Sequence, residues 1–115
     1  MNPSNLADIL SKYSSAGAIE KATVKAGAGQ LFLVSAFNVN GSTRYLYTFD
    51  GEDDSGGNNG PFVLAPIALP TGTGVVIALP IPKKFSALTI ALSKGAIGTY
   101  TVTTTNDLIL TAQFL

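Results

Sequence analysis

From about residue 22 onward, apolar and β-branched residues occur in short runs separated by glycine, proline, asparagine or aspartate. Runs of this length between turn-forming residues are typical of β-strands. The pattern predicts strands at residues 22–26, 30–39, 43–49, 61–69, 74–79, 85–92, 97–104 and 107–114. About eight short strands in a chain of this size predict an all-β fold, an antiparallel β-sandwich that resembles a jelly roll.

One connection between these strands has a specific turn signal. Asn40-Gly41 lies between the runs at residues 30–39 and 43–49. Asn-Gly is favoured in type I′ turns because both residues tolerate positive φ angles. The dipeptide therefore predicts a tight hairpin between these two strands.

The chain before residue 22 has a different pattern. Leu6, Ile9 and Leu10 follow the i, i+3, i+4 spacing of an amphipathic helix. A helix shorter than about 12 residues is marginal in water, so we expect this segment to dock on its own sandwich or on a neighbouring protein. The sequence thus predicts an N-terminal arm or short helix at residues 1–20 and one β-sandwich domain at residues 21–115.

Several predicted strands are apolar on both faces. Residues 31–34 and 75–79 contain no polar position, whereas strands of an antiparallel sandwich normally alternate between apolar and polar residues. Small alanine side chains on the surface are one explanation. Contacts between subunits are the other, because large exposed apolar patches mark interaction sites. We expect the second, which predicts an obligate oligomer or a component of a larger assembly.

The composition excludes several kinds of chemistry. The 115 residues include no His, Cys or Trp, and charged residues make up 12% of the chain, against roughly 25% in typical soluble domains. Without His or Cys there is no Ser-His-Asp triad, no Cys nucleophile and no zinc site with the usual ligands. We therefore expect no enzymatic activity, no cofactor and no small-molecule substrate.

The charge distribution also argues against two kinds of partner. Seven basic residues balance seven acidic ones, and Lys83-Lys84 is the only adjacent basic pair. Nucleic-acid-binding proteins usually carry a basic face, so we expect no nucleic-acid partner. The longest stretch without charge, residues 55–82, holds five of the six prolines. Because proline interrupts helical hydrogen bonding, we expect no membrane-spanning helix there. From the composition of the first 13 residues we also expect no signal peptide.

Acidic residues are concentrated in one segment, at Asp50, Glu52, Asp53 and Asp54. The carboxylates at positions 50, 52 and 54 match the first three ligand positions of a calcium-binding EF-hand loop. The segment lacks the glycine at the sixth position of that loop and the glutamate at the twelfth. We therefore predict an exposed surface loop that includes these four residues, and no metal site.

Three aromatic residues alternate along one predicted strand. Tyr45, Tyr47 and Phe49 share one face by the period of two residues. Arg44 is the only basic residue beside them, so a surface on which nucleic-acid bases stack is disfavoured. We expect these side chains to lie in a core or an interface.

The order of these segments resembles that of small β-sandwich virion proteins of tailed bacteriophages, in particular capsid decoration (cement) proteins. The resemblance covers residues 22–115. It is carried by the strand at 30–38, the sequence Arg44-Tyr45-Leu46-Tyr47-Thr48-Phe49-Asp50, the proline-bounded strand at 61–69, the apolar strand at 74–79 and the final segment 107–115. The resemblance implies an all-β protein without enzymatic activity that binds the major capsid protein, often as a trimer. It also implies synthesis in the host cytoplasm and a final location on the head surface of the virion.

From the residues and the resemblance together, we predict a homo-oligomeric cement protein that stabilises the head shell. Leu6, Ile9 and Leu10 are predicted to contact the capsid, and apolar strand faces are predicted to form the oligomer. Two alternatives remain open. In a tail, fibre or head-fibre component, the loop at residues 51–60 would face the host. A carbohydrate-binding module is disfavoured by the lack of Trp.

Overall fold

The computed structural model describes residues 10–115, which form eight strands and one turn of 3-10 helix at Gly57–Asn59. Short apolar runs form the strands, and glycine, proline or polar segments lie between most of them. The strands are β1 (Ser11–Ser14), β2 (Lys21–Lys25), β3 (Gly29–Asn38), β4 (Arg44–Phe49), β5 (Phe62–Leu69), β6 (Gly74–Phe85), β7 (Leu88–Ser93) and β8 (Leu108–Phe114).

The strands form two antiparallel sheets of four strands each. The first sheet has the order β1-β8-β3-β6 and the second has the order β2-β7-β4-β5. Only β4 and β5 are consecutive strands within one sheet, so every other connection crosses from one sheet to the other. The predicted all-β antiparallel sandwich of about eight strands is confirmed.

The hydrophobic core lies between the two sheets. Along β8, Leu108, Leu110 and Ala112 are fully buried, whereas Ile109 between them is 44% exposed. This alternation follows from the period of two residues in a strand. Burial of each large aliphatic side chain contributes roughly 1.5–3 kcal/mol to folding, and β3, β4 and β7 supply further members of the same core.

The predicted hairpin at Asn40-Gly41 is wrong. β3 pairs with β6 and β8, and β4 pairs with β5 and β7, so the segment between them joins the two sheets. Asn38 Nδ2 donates hydrogen bonds to the carbonyl oxygens of Ser42 at 2.9 Å and Leu69 at 3.0 Å. Asn40 Oδ1 accepts one from the Ser42 amide at 2.8 Å. These bonds fix a wider turn in which neither Asn40 nor Gly41 has a positive φ angle.

Three other predicted segments differ from the structure. β6 extends to Phe85, six residues beyond the predicted end at residue 79. Residues 97–104 form a loop rather than a strand, with only Val102 bridging to Ser93. Within the segment that was predicted to be an arm, residues 11–14 form β1 and pair with β8, and Ile19 bridges to Leu108. Of the three residues predicted to contact the capsid, Leu10 is half-buried, and Leu6 and Ile9 lie outside the described residues.

Candidate interaction surfaces

The outer face of the second sheet carries an aromatic cluster. Tyr45, Tyr47 and Phe49 alternate along β4 with the core residues Leu46 and Thr48, so they lie on the side away from the core. The ring centroids of Tyr47 and Phe49 lie 4.8 and 5.1 Å from that of Tyr100. Tyr47 and Phe49 are each at most 2% exposed. The chain therefore covers this face itself.

The segment that covers the aromatic cluster, residues 94–107, is fixed by hydrogen bonds at several points. The Gly98 amide donates to the Tyr47 hydroxyl at 3.3 Å. The Tyr100 amide donates to Asn58 Oδ1, and the Tyr100 hydroxyl donates to Asp54 Oδ2 at 2.6 Å. Burial, together with the bond to Asp54, raises the pKa of the Tyr100 phenol above its ordinary value. Tyr100 thus stays protonated and holds the loop onto the sheet.

The four residues of the predicted acidic loop have two different environments. Glu52 and Asp53 are exposed, whereas Asp50 and Asp54 are partly buried. Asp50 Oδ1 accepts hydrogen bonds from the amides of Ser86 at 2.6 Å and Ala87 at 3.3 Å. These bonds join the acidic loop to the connection between β6 and β7.

Asp54 holds the same loop to the second sheet. Its carboxylate accepts hydrogen bonds from Lys21 Nζ at 2.9 Å and from the Tyr100 hydroxyl. Burial favours the neutral acid, but the hydrogen bonds from Tyr100 and Lys21 outweigh it and hold the pKa of Asp54 below its ordinary value. Across residues 10–115, no three acidic side chains come together as a group that could hold a metal ion.

A buried carboxylate lies at the other end of the sandwich. Asp107 is 2% exposed. Its oxygens accept hydrogen bonds from Arg44 Nε at 3.0 Å and Asn40 Nδ2 at 2.9 Å, and from the hydroxyls of Thr103 and Thr105. Burial alone would raise the pKa of Asp107, but these four donors hold it well below its ordinary value. The network ties the covering loop to the connection between β3 and β4.

The lowered pKa values of Asp54 and Asp107 predict how stability depends on pH. When the pKa of a carboxylate is lower in the folded chain than in the unfolded chain, its ionised form stabilises the fold. The full contribution is present above the unfolded pKa of about 3.9, and it is lost as the pH falls towards the lower pKa of the folded chain. The chain has no His. We therefore expect a Tm that is constant between about pH 5 and 8 and falls below about pH 4, as measured by circular dichroism. A Tm that already falls between about pH 8 and 6 would contradict this assignment.

The outer face of the first sheet remains exposed. Its exposed large apolar side chains are Phe37 on β3, Val76 on β6 and Ile109 on β8, which are 42%, 67% and 44% exposed. The register places Phe37 beside Ile109, and Ser35 between Val76 and Thr111. Three rows of paired residues cross this face through Leu33, Ser35 and Phe37 of β3. Lys12, which pairs with Gln113 at the β1 edge, is the only charged side chain in these three rows. We call this surface the outer apolar face.

The free edge of the first sheet is interrupted by a bulge in β6. The register passes from Leu33 opposite Ala78 to Leu31 opposite Lys83, so β6 contains three more residues than β3 over this step. Pro80 and Pro82 lie in the extra segment, and Ile81 between them is 80% exposed. Proline donates no backbone hydrogen bond and is therefore compatible with a bulge on an edge strand.

A cavity of about 140 Å³ lies where β4 leads into the acidic loop. Phe49 and Pro61 supply apolar parts of its lining, and Asp50 and Asp53 supply carboxylates. The hydrogen bond from Ser55 holds the pKa of Asp53 below its ordinary value. Asp53 is therefore ionised at neutral pH, and the cavity has an acidic border.

Comparisons with family models, with curated proteins and with solved structures found no match. In the part of the chain that the structure describes, no helix has the length and apolar character needed to cross a membrane.

Proposed function

We propose that this protein is a non-catalytic structural protein that acts by binding other protein subunits. The observation that carries the proposal is the outer apolar face, where Phe37, Val76 and Ile109 are exposed on three adjacent strands. Apolar side chains that are grouped on one face, with Lys12 as the one charge in the three rows of paired residues that cross it, favour burial against another protein. The chain covers the corresponding face of its second sheet with its own loop, but no described residue buries these three side chains.

The occupant that we propose for the outer apolar face is a flat, uncharged surface of another protein. Burial of apolar area contributes roughly 25 cal/mol per Å² before the cost of association is subtracted. Ser35 and Thr111, which lie between the apolar side chains, have short side chains and allow a flat surface to approach. A charged partner surface would lose its hydration here without gaining an ion pair, except next to Lys12.

More specifically, we propose a capsid decoration protein that associates with itself as a trimer. The outer apolar face, which the sequence predicted to form the oligomer, is proposed here to bind the major capsid protein instead. The resemblance to cement proteins and the small eight-stranded sandwich support this proposal. It places the protein on the virion head surface after synthesis in the host cytoplasm, without enzymatic activity or a nucleic-acid, membrane or small-molecule partner. The additional contact through Leu6, Ile9 and Leu10 stays a prediction from the sequence.

The test of this proposal is a charge placed on the outer apolar face. Val76→Lys puts an ammonium group at a side chain that is already 67% exposed, so the fold should be retained. We expect binding to head shells that lack the protein to weaken at least about tenfold, because the ammonium group must lose its hydration in the interface. Co-sedimentation with purified shells measures the binding.

A matched control places the same charge elsewhere. Ile97 is also an exposed isoleucine, at 52%, but it lies in the loop that covers the second sheet. Ile97→Lys should bind shells like the unmodified protein. Equal binding by Val76→Lys and the unmodified protein would refute a role for the outer apolar face. If labelled copies of the protein lie at a single vertex of the head and not over the whole shell, a tail function replaces the cement function.

A further inference from the structure

The bulge in β6 presents one apolar side chain in a fixed position. Ile81 is 80% exposed, more than any other large hydrophobic residue of the described chain. The prolines on both sides restrict the backbone φ angles. Because little conformational freedom remains to be lost, burial of Ile81 by a partner carries a small entropic cost. The bulge therefore has the properties of an anchor for an apolar pocket.

The charges next to this anchor limit the kind of pocket that fits it. Lys83 and Lys84 follow immediately and are both exposed. Neither of them forms an ion pair with a carboxylate of residues 10–115. A pocket with carboxylates at its border is therefore the complementary partner for this anchor.

The same chain contains such a pocket. The cavity at the start of the acidic loop, to which Phe49 and Pro61 contribute apolar contacts, has a volume of about 140 Å³. An engineered cavity of roughly 150 Å³ accommodates benzene, so this volume admits the four-carbon side chain of isoleucine. Asp53 is at the cavity and exposed, and Glu52 next to it is also exposed. The other lining residues are Asp50, Asp53, Ser55 and three glycines. The volume, the contacts offered by Phe49 and Pro61, and the acidic border match the anchor.

From this match we infer that copies of the chain associate head to tail, with Ile81 of one copy in the cavity of the next. Lys83 and Lys84 then face Glu52 and Asp53 of that neighbouring copy. Two different surfaces meet in such a contact, which forms a closed ring when its rotation closes and a filament when it does not. The inference specifies the interface of the proposed trimer and rests on the self-association proposed above.

The first experiment removes the anchor. Ile81→Asp changes an exposed side chain, so the monomer should fold, which circular dichroism checks. In size-exclusion chromatography with light scattering, we expect self-association to weaken at least about tenfold. Ile97→Asp, a change at another exposed isoleucine, should leave it unchanged.

The second experiment reverses the charges. Lys83→Glu with Lys84→Glu should weaken self-association, and so should Glu52→Lys with Asp53→Lys. A chain that carries all four changes restores opposite charges across the contact and should associate again. Two surfaces that are not in contact would show no such restoration.

The possible outcomes separate this inference from the proposed function. An unmodified chain that is monomeric at micromolar concentration would overturn both the inference and the proposed trimer. An oligomer that persists in Ile81→Asp would overturn the inference alone and leave the outer apolar face to be tested by Val76→Lys. Ile81→Asp could also lose shell binding while its oligomer is unchanged. That result would overturn the inferred contact between copies, because Ile81 would then bind a pocket on the shell protein.

Discussion

Replacement of Asp107 by alanine is expected to lower the free energy of unfolding by about 3–5 kcal/mol. The substitution leaves the Arg44 guanidinium, whose side chain is 14% exposed, without its anionic partner. It also removes the acceptor for Asn40, Thr103 and Thr105. A buried charge without a partner destabilises the fold by more free energy than an intact ion pair contributes. Removal of only one partner therefore has a large effect on stability.

Urea unfolding of Asp107→Ala followed by circular dichroism measures this loss. Glu20→Ala removes a carboxylate that forms no ion pair within residues 10–115 and should change the midpoint very little. A combined Arg44→Met and Asp107→Leu variant removes both charges and should be more stable than Asp107→Ala. If Asp107→Ala unfolds at the same urea concentration as Glu20→Ala, the network does not stabilise the fold.

Tyr100→Ala is expected to lower the free energy of unfolding by about 2–3 kcal/mol. The ring packs edge-on against Tyr47 and Phe49, and its hydroxyl holds Asp54. Without the ring, the aromatic cluster on the outer face of the second sheet meets water. We therefore expect increased binding of a hydrophobic dye in addition to the loss of stability.

Tyr100→Phe separates the contribution of the ring from that of the hydroxyl. It keeps the aromatic contacts and removes only the bond to Asp54, so it should cost about 1–2 kcal/mol and leave dye binding unchanged. Thermal unfolding and dye fluorescence measure the two effects. Equal stability of Tyr100→Ala and the unmodified protein would show that the loop does not protect the aromatic cluster.

Strand positions could be predicted from the sequence, whereas the pairing of strands could not. Apolar runs and turn-forming residues are local signals, and they located most of the strands of both sheets. Asn40-Gly41 is also a local signal, but Asn38 bonds to Leu69, which lies 31 residues away. That bond joins the two sheets, and no pattern next to the turn reveals it.

Residues 97–104 show the same limit. Their threonines and valine favour a strand by composition, yet the segment meets the aromatic cluster through Gly98 and Tyr100 and forms a loop. The network around Asp107 could not be predicted because Arg44 and Asn40, which bond to it, are 63 and 67 residues distant. Threonines at two and four positions before an aspartate were the only local signal.

Apolar residues on both faces of a strand have two different explanations in this molecule. On β4 of the second sheet, the additional aromatic face is covered by residues 94–107 of the same chain. On β3 and β6 of the first sheet, Phe37 and Val76 remain exposed. Contact with another subunit therefore remains a proposal for the first sheet only.

The crossing connections between the sheets affect the order in which the chain can fold. Almost every strand pairs with strands distant in sequence, and β1 pairs with β8 alone. Sheets built from such distant pairs form slowly, because long loops must close before their contacts stabilise them. During synthesis on the ribosome, the interior strand β8 of the first sheet is made last of the eight described strands. We therefore expect the sandwich to assemble cooperatively only after β8 has left the ribosome, with its apolar strands unprotected until then.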